Sequence, residues 1–330
     1  MSADERSVDD SWNMVEESIF HVLGSAAEED SGGHVRLGSR LAELGWTDIE
    51  SEYRFEAAEL LFRARARTLI HSDCLDRLMI AELSPVLGGA ADAVVLPGIA
   101  TAGRPPVGTE VSGIVVGPPR GRLVFATARP DGTVHIGVVD AASLNCQPMN
   151  TFDATCQWTD VSGVAPGPLT DASPHWTNAV AVARCALGTE LVELGTAAID
   201  LAVDHVSRRT QFGSPIGTFQ SPRHTLAQAH ACLEGARALV DAARRDGGEL
   251  SALIGKAAAG RAHRSAADAA MQVCGAIGLT IEHDLHRYVA RGMQLDALLG
   301  SYRQLEAVLA DRLLQPAASD APLPRVIACG

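Results

Sequence analysis

The residues best placed to do chemistry lie in one connection, Arg209-Thr210-Gln211-Phe212-Gly213-Ser214-Pro215-Ile216-Gly217-Thr218-Phe219-Gln220, between two long alanine-rich stretches. A guanidinium at the end of one helix offers the planar donor fork that a diphosphate takes. Gln220, at the head of the next helix, offers an amide to a nucleotide. Farther on, Gln272-Val273-Cys274-Gly275-Ala276-Ile277-Gly278 closes a second alanine-rich helix on small residues, where a ligand can approach the backbone closely. Either segment alone is an ordinary helix-connecting turn, and it is their combination that points to a nucleotide ligand. A third cluster, Glu282-His283-Asp284-Leu285-His286, sets two histidines three apart beside carboxylates, a spacing open to a metal. Acidic residues in a first helical turn explain it as well, and no metal is expected. Self-contained catalytic motifs such as GxGxxG after a strand, GxxxxGK[ST], HExxH and GxSxG are absent.

The elements that must position these residues fall into three compositional regions. Residues 1–83 carry apolar residues at three- and four-residue steps, such as Leu37, Leu41 and Leu44, and read as a helical domain frayed before Val15. Residues 84–170 are rich in Gly and Pro, with short β-branched runs. Val134, Ile136 and Val138 alternate with Thr133, His135 and Gly137, and Pro130-Asp131-Gly132 marks a turn, which predicts a small antiparallel β domain. Residues 171–330 are dominated by alanine. Leu187, Leu191, Leu194, Ala198 and Leu201 form one stripe, and Leu226, Ala229, Leu233, Ala236 and Val240 another. With further helices over 250–273 and 284–299 and one carrying Leu305, Val308, Leu309 and Leu313, this predicts a four-helix bundle with apolar faces left for a partner subunit.

Composition narrows the function classes. With 27 Lys plus Arg against 40 Asp plus Glu, the net charge of -13 repels polyphosphate, so nucleic-acid binding is not expected. Lys256 is the only lysine. The most apolar window, 186–203, contains Glu190, Glu193 and Asp200 and is no membrane span. The start, MSADERSVDDSW, lacks the basic and apolar parts of a signal peptide. Seven cysteines (Cys74, Cys146, Cys156, Cys185, Cys232, Cys274 and Cys329) never form CxxC and suggest no disulfide framework. A reduced, cytoplasmic protein is expected.

From 176 to 314 the sequence resembles the acyl-CoA dehydrogenase family, flavoproteins that desaturate acyl-CoA thioesters between the α and β carbons. The resemblance is carried by RRTQFGSPIGTFQSPRHTLAQ, MQVCGAIGLTIEHDLHRYVARG and LDALLGS. It implies a mainly α fold with a small β domain, in the order helical, antiparallel β, helical bundle. It implies FAD as cofactor, lying across a subunit interface, with Arg209 and Gln220 on the flavin dinucleotide and Gln272, Gly275 and Ala276 at its adenosine and diphosphate end. It also implies Arg184 near the substrate acyl and thioester region.

The resemblance breaks where the reaction needs a base. Family members carry a glutamate at one of two places, which here hold Ala183 and Leu299, and neither side chain takes a proton. The Thr-Glu-Pro and Trp-Ile-Thr-like stretches that wrap the flavin ring are missing from 84–170, and Ala276 and Ala290 are smaller departures. A chain that keeps the nucleotide cradle and lacks the base resembles the short subunit of α2β2 acyl-CoA dehydrogenases, some of which act on steroid side-chain thioesters. The implied partners are a longer homologue carrying the catalytic Glu, an acyl-CoA substrate and an electron-transfer acceptor. A complete enzyme with a relocated base, Glu190 or Asp296, and a non-flavin scaffold or acyl-CoA-binding protein are the competing readings.

Overall fold

Five helices precede the first strand: α1 (Ala3–Glu29), α2 (Gly38–Glu43), α3 (Trp46–Glu52), α4 (Arg54–Thr68) and α5 (Cys74–Leu83). The chain is seen in a computed structural model that describes residues 3–29, 33–153 and 155–314, and Cys329 lies outside them. Helix α1 begins at Ala3, earlier than the fraying expected before Val15. It buries Ile19, Leu23 and Ala26, one turn apart, and Arg63 of α4 reaches Glu16 at 2.9 Å.

Seven strands follow: β1 (Ala93–Val94), β2 (Glu110–Val116), β3 (Arg122–Ala128), β4 (Val134–Asp140), β5 (Asn145–Met149), β6 (Trp158–Val164) and β7 (Thr170–Asp171). They form two sheets, in the orders β1-β3-β4-β7 and β2-β6-β5. All pairs are antiparallel except the two-residue pair β1–β3. Val95, Val111, Val115, Leu123, Phe125, Val139 and Val161 make a core of their own here. The turn at Pro130-Asp131-Gly132 is present, with Gly132 at φ 87 and Asp131 accepting from Thr133 N–H at 2.9 Å.

The remaining helices are α6 (Ser173–Arg208), α7 (Gln220–Asp246), α8 (Glu249–Cys274), α9 (Leu285–Asp296) and α10 (Tyr302–Leu314). At 36 residues α6 is about 54 Å long and runs through the middle of the bundle, buried on nearly every side. Small residues let its neighbours close in. A Cβ on Gly195 would sit 2.6 Å from Leu233, and one on Gly292 of α9 would meet the His263 ring of α8 at 2.0 Å. Arg67 of α4 pairs with Glu193 at 2.6 Å and with Asp200 at 2.9 Å, joining the N-terminal helices to α6. No helix among the described residues is long and apolar enough to cross a membrane.

Candidate functional site

Helix α6 ends at Arg208, and Arg209 leaves it in extended backbone. The chain then folds into a hairpin of two short strands, β8 (Thr210–Gln211) and β9 (Ser214–Pro215), closed by Ile216 N–H donating to Arg209 C=O at 2.8 Å. Its two central residues, Phe212 and Gly213, have φ of 52 and 81, the left-handed backbone that a two-residue hairpin loop requires. Glycine adopts it freely, whereas a phenylalanine there costs about 1–2 kcal/mol. Phe212 is moreover 94% exposed, touched edge-on by Phe219. A strained backbone that presents an aromatic ring to the outside serves no core of this chain.

Arg209 is exposed, and while Arg208 pairs with Asp204, Arg209 has no carboxylate partner among the described residues. Gln220, also exposed, is the first residue of α7, whose first turn has no acidic residue and no side-chain cap. Free N–H groups and the positive end of the helix dipole favour an anion at that end. In the second segment, α8 stops at Cys274 because Gly275 turns to φ 66 and ψ -146 and donates its N–H to Met271 C=O. The space over Gly275 is open, and Gln272, Gly275 and Ala276 are exposed. The end of α6 meets the 282–286 cluster where His205, one turn before Arg209, packs edge-on against His283 at 6.0 Å. His283 Nδ1 accepts from Leu285 N–H at 3.2 Å, and its carbonyl lies 2.8 Å from His286 Nδ1. The 282–286 cluster is thus the start of α9, and no metal-holding group of three or more such residues occurs among the described residues.

Ala183 and Leu299, where the sequence resemblance implies the family's base, are buried and apolar, at 0% and 1% exposure. Leu299 has φ 53 and Gly300 φ 102, so the chain turns sharply there. From below, Lys256 Nζ donates to Asp296 C=O at 2.9 Å and Gly300 C=O at 2.6 Å. Burial pulls the Lys256 ammonium down to about 8, against the pull of Asp296. From above, Arg184, itself buried and brought down to about 10 by that burial, donates from Nε to Leu299 C=O at 3.2 Å and from Nη2 to Ala102 C=O at 3.1 Å.

Neither carboxylate weighed as a relocated base is free. Glu190 is fully buried, 3.4 Å from Arg65 Nη1 and 3.5 Å from Arg291 Nη2. Arg291 also approaches Asp153 at 3.6 Å and donates to Ile70 C=O at 2.9 Å, so this network ties α4, α6, α9 and the β5–β6 connection together. Asp296 caps α10, accepting Tyr302 N–H at 3.1 and 3.2 Å, and its burial pushes its pKa up. Gln304, Gly103 and the partners of Glu190 went unnoticed in the sequence. A lone lysine in an arginine-rich chain is the one sequence feature at this turn, and composition alone does not connect it to Leu299.

Residues 176–314 match the family model described as acyl-CoA dehydrogenase, C-terminal domain. Over these residues the chain is similar to the acyl-CoA dehydrogenase family. It is similar to acyl-CoA dehydrogenase IpdE2 of Mycobacterium tuberculosis, 27% identical over 92% of this chain and 86% of that protein. It is also 28% identical to acyl-CoA dehydrogenase FadE34 of the same organism, over 91% of this chain and 42% of that longer protein. Two solved structures share its fold. The Tcur3481-Tcur3483 steroid ACAD variant is 24% identical with a TM-score of 0.69, and the ChsE4-ChsE5 complex from Mycobacterium tuberculosis 17% identical with 0.65. Each comparison covers 80% of this chain and 82% of the other. The acyl-CoA dehydrogenase fold therefore holds the two motif segments at exposed bundle ends, and holds Ala183 and Leu299 inside.

Proposed function

We propose that this chain is a subunit of a heteromeric, FAD-dependent acyl-CoA dehydrogenase that supplies part of the nucleotide cradle and no catalytic base. FAD, when bound, takes up the hydride of α,β-desaturation. Arg209 and Gln220 would hold its diphosphate and nucleotide, and Gln272, Gly275 and Ala276 the adenosine end, across the interface with a longer homologue that carries the glutamate. An unpaired exposed guanidinium, an uncapped helix start and an open glycine suit a diphosphate. The single observation that carries the reading is the contrast in burial: every cradle residue faces outward, while Ala183 and Leu299 are interior and apolar.

An α2β2 assembly is supported by the exposed apolar residues Phe212, Leu279 and Ile281, and by the open groove of about 670 Å³ among Val203, Val206, Pro215 and Leu226. The substrate class we favour is a bulky acyl-CoA thioester of steroid side-chain type, from the likeness to the Tcur3481-Tcur3483 steroid ACAD structure. An electron-transfer protein would reoxidise the flavin. Six unpaired cysteines among the described residues suit the cytoplasm. Co-expression with a longer homologue is expected to give a yellow complex with both chains. A bright, active homotetramer of this chain alone would overturn the proposal.

A further inference from the structure

The turn at Leu299 is covered by a loop of the same chain. Residues 98–104 make a short 3-10 turn (Ile99–Thr101), followed by Ala102 and Gly103 with φ of 52 and 82. Two side chains bridge this loop and the Leu299 turn at once. Arg184 donates to the carbonyls of both Ala102 and Leu299. Gln304 of α10 donates from Nε2 to Ile99 C=O at 3.0 Å and accepts Ser301 N–H on Oε1 at 2.9 Å. The loop lies so close that a Cβ on Gly103 would stand 2.8 Å from Leu299 O. What remains beside it is a pocket of about 150 Å³ among Gly103, Trp176, Arg184, Leu253 and Arg312, short of the roughly 300–1,000 Å³ of ordinary ligand sites.

We propose that residues 98–104 are a built-in plug that shuts this chain's own acyl-thioester position, with Arg184 and Gln304 as its straps. The inference rests on the cradle reading above and deepens it. The nucleotide-facing surface stays open to a partner's cofactor, while the interior beside the missing base admits no thioester. Arg184 is then a positioning residue that locks two backbone segments together. Leu299 and Ala102, both left-handed, hold the conformations that bring their carbonyls to one guanidinium.

The test is amide hydrogen exchange of the purified full chain, read on peptides covering 98–104 and 296–304, with and without millimolar butyryl-CoA. In the wild type both peptides are protected, and butyryl-CoA changes neither. Gln304→Glu keeps the acceptor for Ser301 N–H and loses the donor to Ile99. It is expected to speed exchange of 98–104 about three- to tenfold while sparing 296–301. Gly103→Ala, crowded and strained at φ 82, is expected to release both peptides. Slowing of wild-type exchange at 98–104 by butyryl-CoA would overturn the plug, as would unchanged exchange in both variants. Neither flavin nor partner enters this measurement. A complex without flavin would sink the cradle reading alone, and entry of butyryl-CoA would sink the plug alone.

Discussion

Arg184 and Leu299 share a hydrogen bond from the guanidinium Nε to the main-chain oxygen at 3.2 Å, so a buried cation holds the peptide of the residue proposed to replace the family's base. A carboxylate placed there is not expected to rebuild an active site. Leu299→Glu introduces a charge into an interior that is 1% exposed, beside the equally buried Leu298. The expected result is a loss of at least about 2 kcal/mol in denaturant unfolding, with no thioester oxidation gained. Turnover appearing in the variant would contradict the sealed geometry.

Exposed cradle residues are expected to move cofactor retention and leave folding alone. In the assembled complex, Arg209→Ala should weaken flavin binding about 10- to 100-fold, the scale of one charge-assisted contact. Arg209→Lys should recover only part of that, because an ammonium lacks the planar fork. Flavin absorbance of the purified complex reads the first effect, and an unchanged melting temperature of the chain alone reads the second.

Glu190 gives the opposite pattern. Its removal leaves Arg65 and Arg291 buried without their anion, a change that costs about 3–5 kcal/mol in comparable buried pairs. Glu190→Ala should therefore lower stability by that order, while turnover per bound flavin in complexes that still assemble is preserved. Loss of turnover per flavin at intact stability would restore Glu190 as a candidate base.

Asp76 sets a pH dependence. Its carboxyl accepts Val94 N–H at 2.8 Å, joining α5 to β1, and burial pushes it up to about 7 from 3.8. The folded state therefore binds a proton more tightly than the unfolded chain. Its stabilising share is complete below pH 3.8 and is lost as pH rises through about 7. Asp76→Asn keeps a carbonyl acceptor and cannot ionise. The melting temperature of the variant minus that of the wild type is expected to rise between pH 5 and pH 8, and a flat difference would refute the assignment.

Much of the fold was legible because local periodicity wrote it. The step of Leu187, Leu191, Leu194 and Ala198 gave α6, and the helix expected over 250–273 is Glu249–Cys274. The alternation of Val134, Ile136 and Val138 gave β4. The helix expected over 284–299 instead stops at Asp296, since Lys256, forty residues away, binds the carbonyls that bend the chain at Leu299. The same distance in sequence hid the pairing of Arg65 and Arg291 with Glu190, and of Gly103 with Leu299. Spacing along one segment records which face is buried, and it carries nothing about which distant backbone will lie against that face. The parallel contact of β1 with β3 was missed for that reason.

The burial of Lys256 has a chemical corollary. Every other basic side chain is arginine, which activated esters do not acylate near neutral pH, so the folded surface offers no ε-amine at all. A succinimidyl reagent would spare the folded subunit's side chains and mark this one position only when α8 and the bend above it part company. The protein carries its own covalent reporter of that opening, seated beneath the bend at Leu299.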